Sequence, residues 1–284
     1  MVLQTTPNKH SILIFQKNPV LWNARNYLKG GGMLLVTEPT KHLAYCPVQK
    51  SGSRTWMMTF AEMNLVEGPK ARGIRDTYLK LASQEYSIYA GTYQQMDALN
   101  DLSLFKFIFI RHPFDRLGSC YRMMRTEQYF LKIIGDYQLN YMNFDVKDLV
   151  SSKGFMPFST FVEFIIHEAE NKNESFDAIS NYPPHAVHWW PYTELCGVCK
   201  VHYDLVGHME TFDEDVHKLI SRFPDILDFR LKDIKGYEGN RTKYREFFRE
   251  LKKTEIEKLY IRFKNDFEFG GYNYPNDFID IGLD

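Results

Sequence analysis

The sequence predicts an α/β fold: one domain on a central parallel sheet flanked by helices. Two segments predict it. AYCPVQKSGSRTW (44–56) and FKFIFIRHPFDRLGSCYRMM (105–124) each run from a short apolar strand through a polar turn into an amphipathic helix. Strands and helices then alternate along the chain, the pattern of parallel strands joined by helical crossovers. A length of 284 residues suits one large domain, and 44% apolar with 15% aromatic residues supply its core.

Residues 1–40 read as an irregular lead-in to a domain over 41–284, with short strands expected at 11–15 and 33–37. Gly30-Gly31-Gly32 separates them as a flexible joint. A strand at 43–48 follows, then the turn at Lys50 and a helix over 53–65; another helix is expected over 74–84. The strand at 105–110 is nearly all apolar, as a strand buried on both faces should be. Pro113 suits the first turn of the next helix, where its missing N–H costs little. Residues 135–154 read as loop with some helix. Phe161, Phe164 and Ile165 recur at helical spacing and place a helix over 158–169. After an Asn-, Ser- and Pro-rich loop over 171–184 come a late strand at 203–206 and a helix over 212–222. The C-terminal stretch 243–267 is helical in pattern, with a break near Lys253.

A net charge of −1 gives no global attraction for a polyanion, so neither nucleic acid nor a membrane surface is expected as a partner. Basic residues do cluster locally. Arg111, Arg116, Arg122 and Arg125 form one group; Lys243, Arg245, Arg249, Lys252 and Lys253 form another, read as a solvated helix face. The longest N-terminal apolar run, 12–15, is far short of the roughly 20 residues of a membrane span, and no signal-peptide core is present. The chain as written is expected to be soluble. Asn173-Glu174-Ser175 and Asn240-Arg241-Thr242 are weak glycosylation triplets. Of the four cysteines, Cys46 and Cys120 read as small buried hydrophobes, while Cys196 and Cys199 form a Cys-x-x-Cys pair.

The two turns carry the chemistry. Small residues at a helix N-terminus aim backbone N–H groups and the positive end of the helix dipole at an anion. The first turn supplies Lys50, Ser51, Gly52, Ser53, Arg54 and Thr55; the second supplies Arg111, with Ser119 eight residues on. Two such turns at neighbouring strand ends suit a ligand with phosphates at two separated places, the chemistry of 3′-phosphoadenosine 5′-phosphosulfate (PAPS). Lys50 would meet the charge that develops on the leaving phosphate oxygen. The N–H groups and hydroxyls through Thr55 would hold the remaining oxygens, and Trp56 would anchor the helix to the sheet. Arg111 can fork onto a phosphate and Ser119 add a hydroxyl. Ligands of open parallel sheets bind beyond the carboxyl ends of the strands, where both turns fall. A phosphotransferase loop would need G-x-x-x-x-G-K-[ST]; here Lys50 precedes Gly52, and no G-K-[ST] occurs.

These two segments resemble the phosphosulfate- and 3′-phosphate-binding motifs of Golgi carbohydrate sulfotransferases, nearest the group of HNK-1 and chondroitin and dermatan 4-O-sulfotransferases. HWWPYTELCGVCKVHYDLVGHMET (188–211) is similar to that family's His-Trp, Leu-Cys-x-x-Cys, Tyr-Asp-x-x-Gly and Glu-Thr pattern. DFEFGGY (266–272) resembles its C-terminal ending. The resemblance covers roughly 43–273. It implies the P-loop-like PAPS sulfotransferase fold, PAPS as co-substrate with no metal, a glycan acceptor such as chondroitin, and a Golgi location. Gln49 stands where the family has proline, Arg54 where it often has Ser or Thr, and its N-terminal anchor has no counterpart in these residues.

The acceptor hydroxyl needs a base. Between the two donor motifs there is no histidine, only Glu62, Glu67 and Glu85 among glutamates; His185 and His188 come later. His188 fits the third segment's pattern and ranks first. His185, His188, Cys196 and Cys199 also admit a zinc reading, but their spacing is short for structural zinc and a local disulfide or two packed thiols is favoured. The expected function is PAPS-dependent sulfation of a carbohydrate hydroxyl, 4-O-sulfation of chondroitin-type glycosaminoglycan. The alternative is a degenerate sulfotransferase fold kept as a carbohydrate-binding or scaffold module, which Arg54 would favour.

Overall fold

The computed structural model describes residues 34–38, 42–63, 87–89, 101–125, 131, 156–171, 186–199, 201–224 and 244–284. The strand expected at 11–15, the glycine joint, the helix at 74–84, the loops 135–154 and 171–184, Glu67, Glu85, His185 and both glycosylation triplets lie outside or run beyond the described residues. These fall into two compact units, one drawn from Met1–Arg111 and Ser175–Tyr237, the other from His112–Glu174 and Glu238–Asp284.

The first unit holds a five-stranded sheet. Its strands are β1 (Leu34–Glu38), β2 (Leu43–Cys46), β3 (Ser87–Tyr89), β4 (Phe105–Ile110) and β5 (Leu205–His208), in the order β3-β1-β2-β4-β5. The expected parallel sheet is its β2-β4-β5 core; β1 adds to β2 and β3 to β1 antiparallel. Parallel register pairs Cys46 with Ile108 and Ile110 with His208, so three strands end together on one edge.

Strand periodicity sorts the side chains. Leu43, Tyr45, Phe107 and Phe109 face one way and are fully buried beneath α1 (Ser53–Met63) and α5 (Phe212–Arg222), through Trp56, Phe60, Phe212, Val216 and Leu219. Trp56 anchors α1 as expected, its ring 4.9 Å from both Phe107 and Phe109. Beneath this layer Gly207 permits a close approach: a Cβ there would stand 2.5 Å from the Phe109 ring. Gly207→Ala should therefore cost about 1–3 kcal/mol by overpacking, read as a lower urea midpoint. A midpoint equal to wild type would show that Phe109 gives way freely.

The late strand begins two residues after its expected start, for a polar reason. Asp204 Oδ2 accepts the Lys106 N–H at 2.8 Å and the Asp204 N–H donates to the Lys106 carbonyl at 2.7 Å, so Asp204 fastens β5 to β4 from outside the ladder. Tyr203, also buried, donates its hydroxyl to the Cys196 carbonyl at 2.7 Å, and burial pushes its phenol far above the ordinary range.

The second unit is helical: α2 (Pro113–Met124), α3 (Phe158–Asn171), a 3₁₀ turn at Glu246–Glu250, α6 (Lys253–Gly270) and α7 (Asn276–Ile279). The expected break near Lys253 is the passage from the 3₁₀ turn to α6. Phe114, Phe248, Phe267 and Phe278 stack into its core, and His112 joins them with ring centroids 5.1 Å from Phe267 and 5.3 Å from Phe278. Of the basic C-terminal group, Arg249 pairs with Glu246 at 2.9 Å and Lys253 with Asp284 at 2.5 Å, the solvated face expected. Arg116, read in sequence as one of a basic group facing solvent or acidic partners, does not face solvent: it is 1% exposed.

Candidate active site

The turn after β2 is held by its backbone. The Ser51 N–H donates to the Val48 carbonyl at 3.3 Å, closing a turn whose third residue, Lys50, has φ +68. Gln49 keeps negative φ, which makes this the type II geometry, where glycine or asparagine is usual. A lysine in the left-handed region is a local strain of the sort found at functional loops. Gly52 follows at φ +75, where its lack of Cβ is used: an added Cβ would lie 3.1 Å from Met209 Sδ.

From Gly52 the chain enters α1. The Thr55 and Trp56 N–H groups turn back to the Gly52 carbonyl at 3.0 and 3.3 Å. The N–H groups of Gly52, Ser53 and Arg54 have no hydrogen-bond partner among the described residues, as the first turn of a helix dictates. The buried Ser51 Oγ likewise has none. Leaving such a hydroxyl unmet costs about 1–3 kcal/mol, so these donors together form a cradle that phosphate oxygens would satisfy, and the residues fit PAPS. Ser53, expected to lend its hydroxyl to the ligand, donates it to Gln49 Oε1 at 3.1 Å. Arg54 is exposed and gives the cradle its N–H.

Arg111 follows β4 directly and is 5% exposed. It shares the carboxyl edge of the parallel strands with the Lys50 turn. Ser119, partly exposed, belongs to the second unit, two turns into α2. His188 ends a 3₁₀ turn at Ala186–His188, ahead of the buried Trp189 and Trp190 and the short α4 (Tyr192–Leu195), in the first unit.

Two features were missed in the sequence. Cys46 is not a packed thiol: it forms a disulfide with Cys196, Cα–Cα 6.0 Å, across 150 residues. Cys196 is therefore neither paired locally with Cys199, which keeps its thiol, nor available as a zinc ligand. The bond ties the foot of the Lys50 turn to the segment that begins at His188. Sequence spacing cannot reveal a partner this distant. The other is the pairing of His208 with Asp215. Asp215 is 4% exposed and accepts the His208 N–H at 2.9 Å, Thr211 Oγ1 at 2.7 Å and Lys218 Nζ at 2.6 Å. Burial alone would raise its carboxyl, but the bonds from Lys218, His208 and Thr211 outweigh burial and hold it below the usual range. In the sequence the Gly-His-Met-Glu-Thr run carries only part of the family's pattern and no sign of this pairing.

Comparison with known proteins gives the family. The model of the family described as "Sulfotransferase family" matches residues 34–275. Carbohydrate sulfotransferase 11 of Rattus norvegicus is 27% identical over 266 residues, 85% of this chain and 68% of its own. Carbohydrate sulfotransferase 10 of Gallus gallus is 30% identical over 191 residues, and that of Xenopus laevis 28% over 180, each covering 61% of this chain. The chain spans about half the length, 48%, of these two relatives. No solved structure matches. No described helix is long and apolar enough to cross a membrane. With the family model covering most of its length, the chain belongs to the sulfotransferase family.

Proposed function

We propose that the protein transfers a sulfuryl group from PAPS to a carbohydrate hydroxyl, with chondroitin-type glycosaminoglycan as acceptor and the 4-hydroxyl as target. The relatives' name, carbohydrate sulfotransferase, supports the acceptor class. One observation carries the donor: the consecutive N–H groups of Gly52, Ser53 and Arg54, without a partner among the described residues, behind a lysine held in the left-handed region.

PAPS supplies the sulfuryl group and a phosphate that leaves. The N–H groups of Gly52, Ser53 and Arg54, the Ser51 hydroxyl and the N-terminal dipole of α1 receive the 5′-phosphate oxygens. Thr55 completes the loop. The Lys50 ammonium meets the charge that grows on the bridging oxygen. Arg111 and Ser119 hold the 3′-phosphate, on the strength of the sequence resemblance. The Cys46–Cys196 disulfide supports an oxidising compartment and so the Golgi lumen.

Calorimetry with 3′-phosphoadenosine 5′-phosphate (PAP), the desulfated donor, tests this on wild type and Arg111→Ala. Micromolar binding, about −8 kcal/mol, should be lost in the variant. Folded wild type that fails to bind PAP overturns the proposal.

A further inference from the structure

Resting on the sulfotransferase reading, we infer that His208 is the base that takes the acceptor's proton. His208 ends β5 and is the register partner of Ile110, one residue before Arg111, so it stands on the edge where ligands of parallel sheets bind. Its side chain is 30% exposed. The adjoining residue touches the donor turn: Met209 Sδ lies 3.1 Å from where a Cβ on Gly52 would stand. The end of β5 thus abuts the N–H cradle.

Behind the ring is a fixed negative charge. Asp215 Oδ2 lies 3.9 Å from His208 Nδ1 and is locked by the His208 N–H and Thr211 Oγ1, while Oδ1 takes Lys218 Nζ. With Nδ1 toward the carboxylate, Nε2 lies on the far side of the ring. At 3.9 Å the contact is one of charge and not a hydrogen bond, and a carboxylate fixed that close stabilises the imidazolium formed when the ring accepts a proton. His188, the candidate read from the sequence, has its Nδ1 buried in a short 3₁₀ turn.

The step balances within the reaction already proposed. As the acceptor oxygen bonds to sulfur, its O–H bond breaks and the proton passes to His208 Nε2. The bond from sulfur to the bridging phosphate oxygen breaks, its electron pair stays on that oxygen, and Lys50 meets the charge. Asp215 balances the imidazolium until the proton leaves to solvent from the exposed side of the ring.

The test compares wild type, His208→Ala and His188→Ala in transfer from PAPS to a panel of desulfated glycosaminoglycans, in PAP calorimetry, and in rescue by added imidazole. His208→Ala should lose roughly 10²-fold or more in kcat, bind PAP as wild type does, and regain activity with imidazole. His208→Gln, closer in size, stands in if the alanine variant does not fold. Retained kcat, PAP binding lost in step with kcat, or imidazole rescue at His188→Ala instead overturns the assignment. Wild type that neither binds PAP nor transfers to any glycan overturns the sulfotransferase reading and this inference with it, and that control separates the two failures.

Discussion

Lys50→Gly should lower sulfuryl transfer by roughly 10²–10³-fold, the cost of removing one preorganised donor to a developing oxyanion, without destabilising the protein. The two effects separate because of the backbone. Lys50 sits at φ +68 in the third position of a type II turn. A non-glycine residue in the left-handed region costs about 1–2 kcal/mol, which glycine removes while adding freedom to the unfolded chain. The folded state should thus be unchanged or up to about 1 kcal/mol more stable. Lys50→Ala keeps the strained backbone and should lose the same activity with no such gain. Thermal unfolding and transfer assays on the pair decide it. If Lys50→Gly transfers like wild type, the ammonium has no part in the chemistry. If it unfolds early, the lysine is there for structure.

Removing the Cys46–Cys196 disulfide should produce the largest loss of stability. Opening a cross-link over 150 residues restores chain entropy to the unfolded state worth roughly 4–5 kcal/mol. The Cys46→Ala, Cys196→Ala double variant should show a much lower urea midpoint than oxidised wild type, and reductant should lower wild type alone. The same bond reaches function, because Cys46 is the last residue of β2 and stands four positions before Lys50. PAP affinity should fall along with stability. Alkylation of unfolded, unreduced protein should label Cys120 and Cys199 only; four labelled cysteines would remove the cross-link and both expectations.

Much of the site was legible because it is built from local rules. The bounds of β4 and α5, the place of Pro113 and the anchoring role of Trp56 follow from side-chain periodicity and from what a helix start tolerates. The Lys50 turn was readable for the same reason: small residues before an amphipathic helix leave N–H groups unmet whatever the rest of the chain does. Division of labour inside the turn was not readable. Ser53 and Ser51 look equivalent in sequence, yet Ser53 bonds Gln49 while the Ser51 hydroxyl stays unmet. That choice depends on side-chain directions set by a left-handed lysine.

By itself the sequence determined the strand–turn–helix units, the row of N–H groups left unmet where the Lys50 turn enters α1, and the family those motifs resemble, because each rests on residues within a few positions of one another. Only the tertiary structure decided that β1 and β3 join the parallel core antiparallel. It alone pairs Cys46 with Cys196, and it alone shows the buried carboxylate of Asp215 behind His208 at the carboxyl edge of the parallel strands. Strand order and the disulfide join residues far apart in the chain. The His208–Asp215 pair is close in sequence, but its position at the carboxyl edge beside Arg111 exists only once β5 is laid beside β4, and packing alone specifies that.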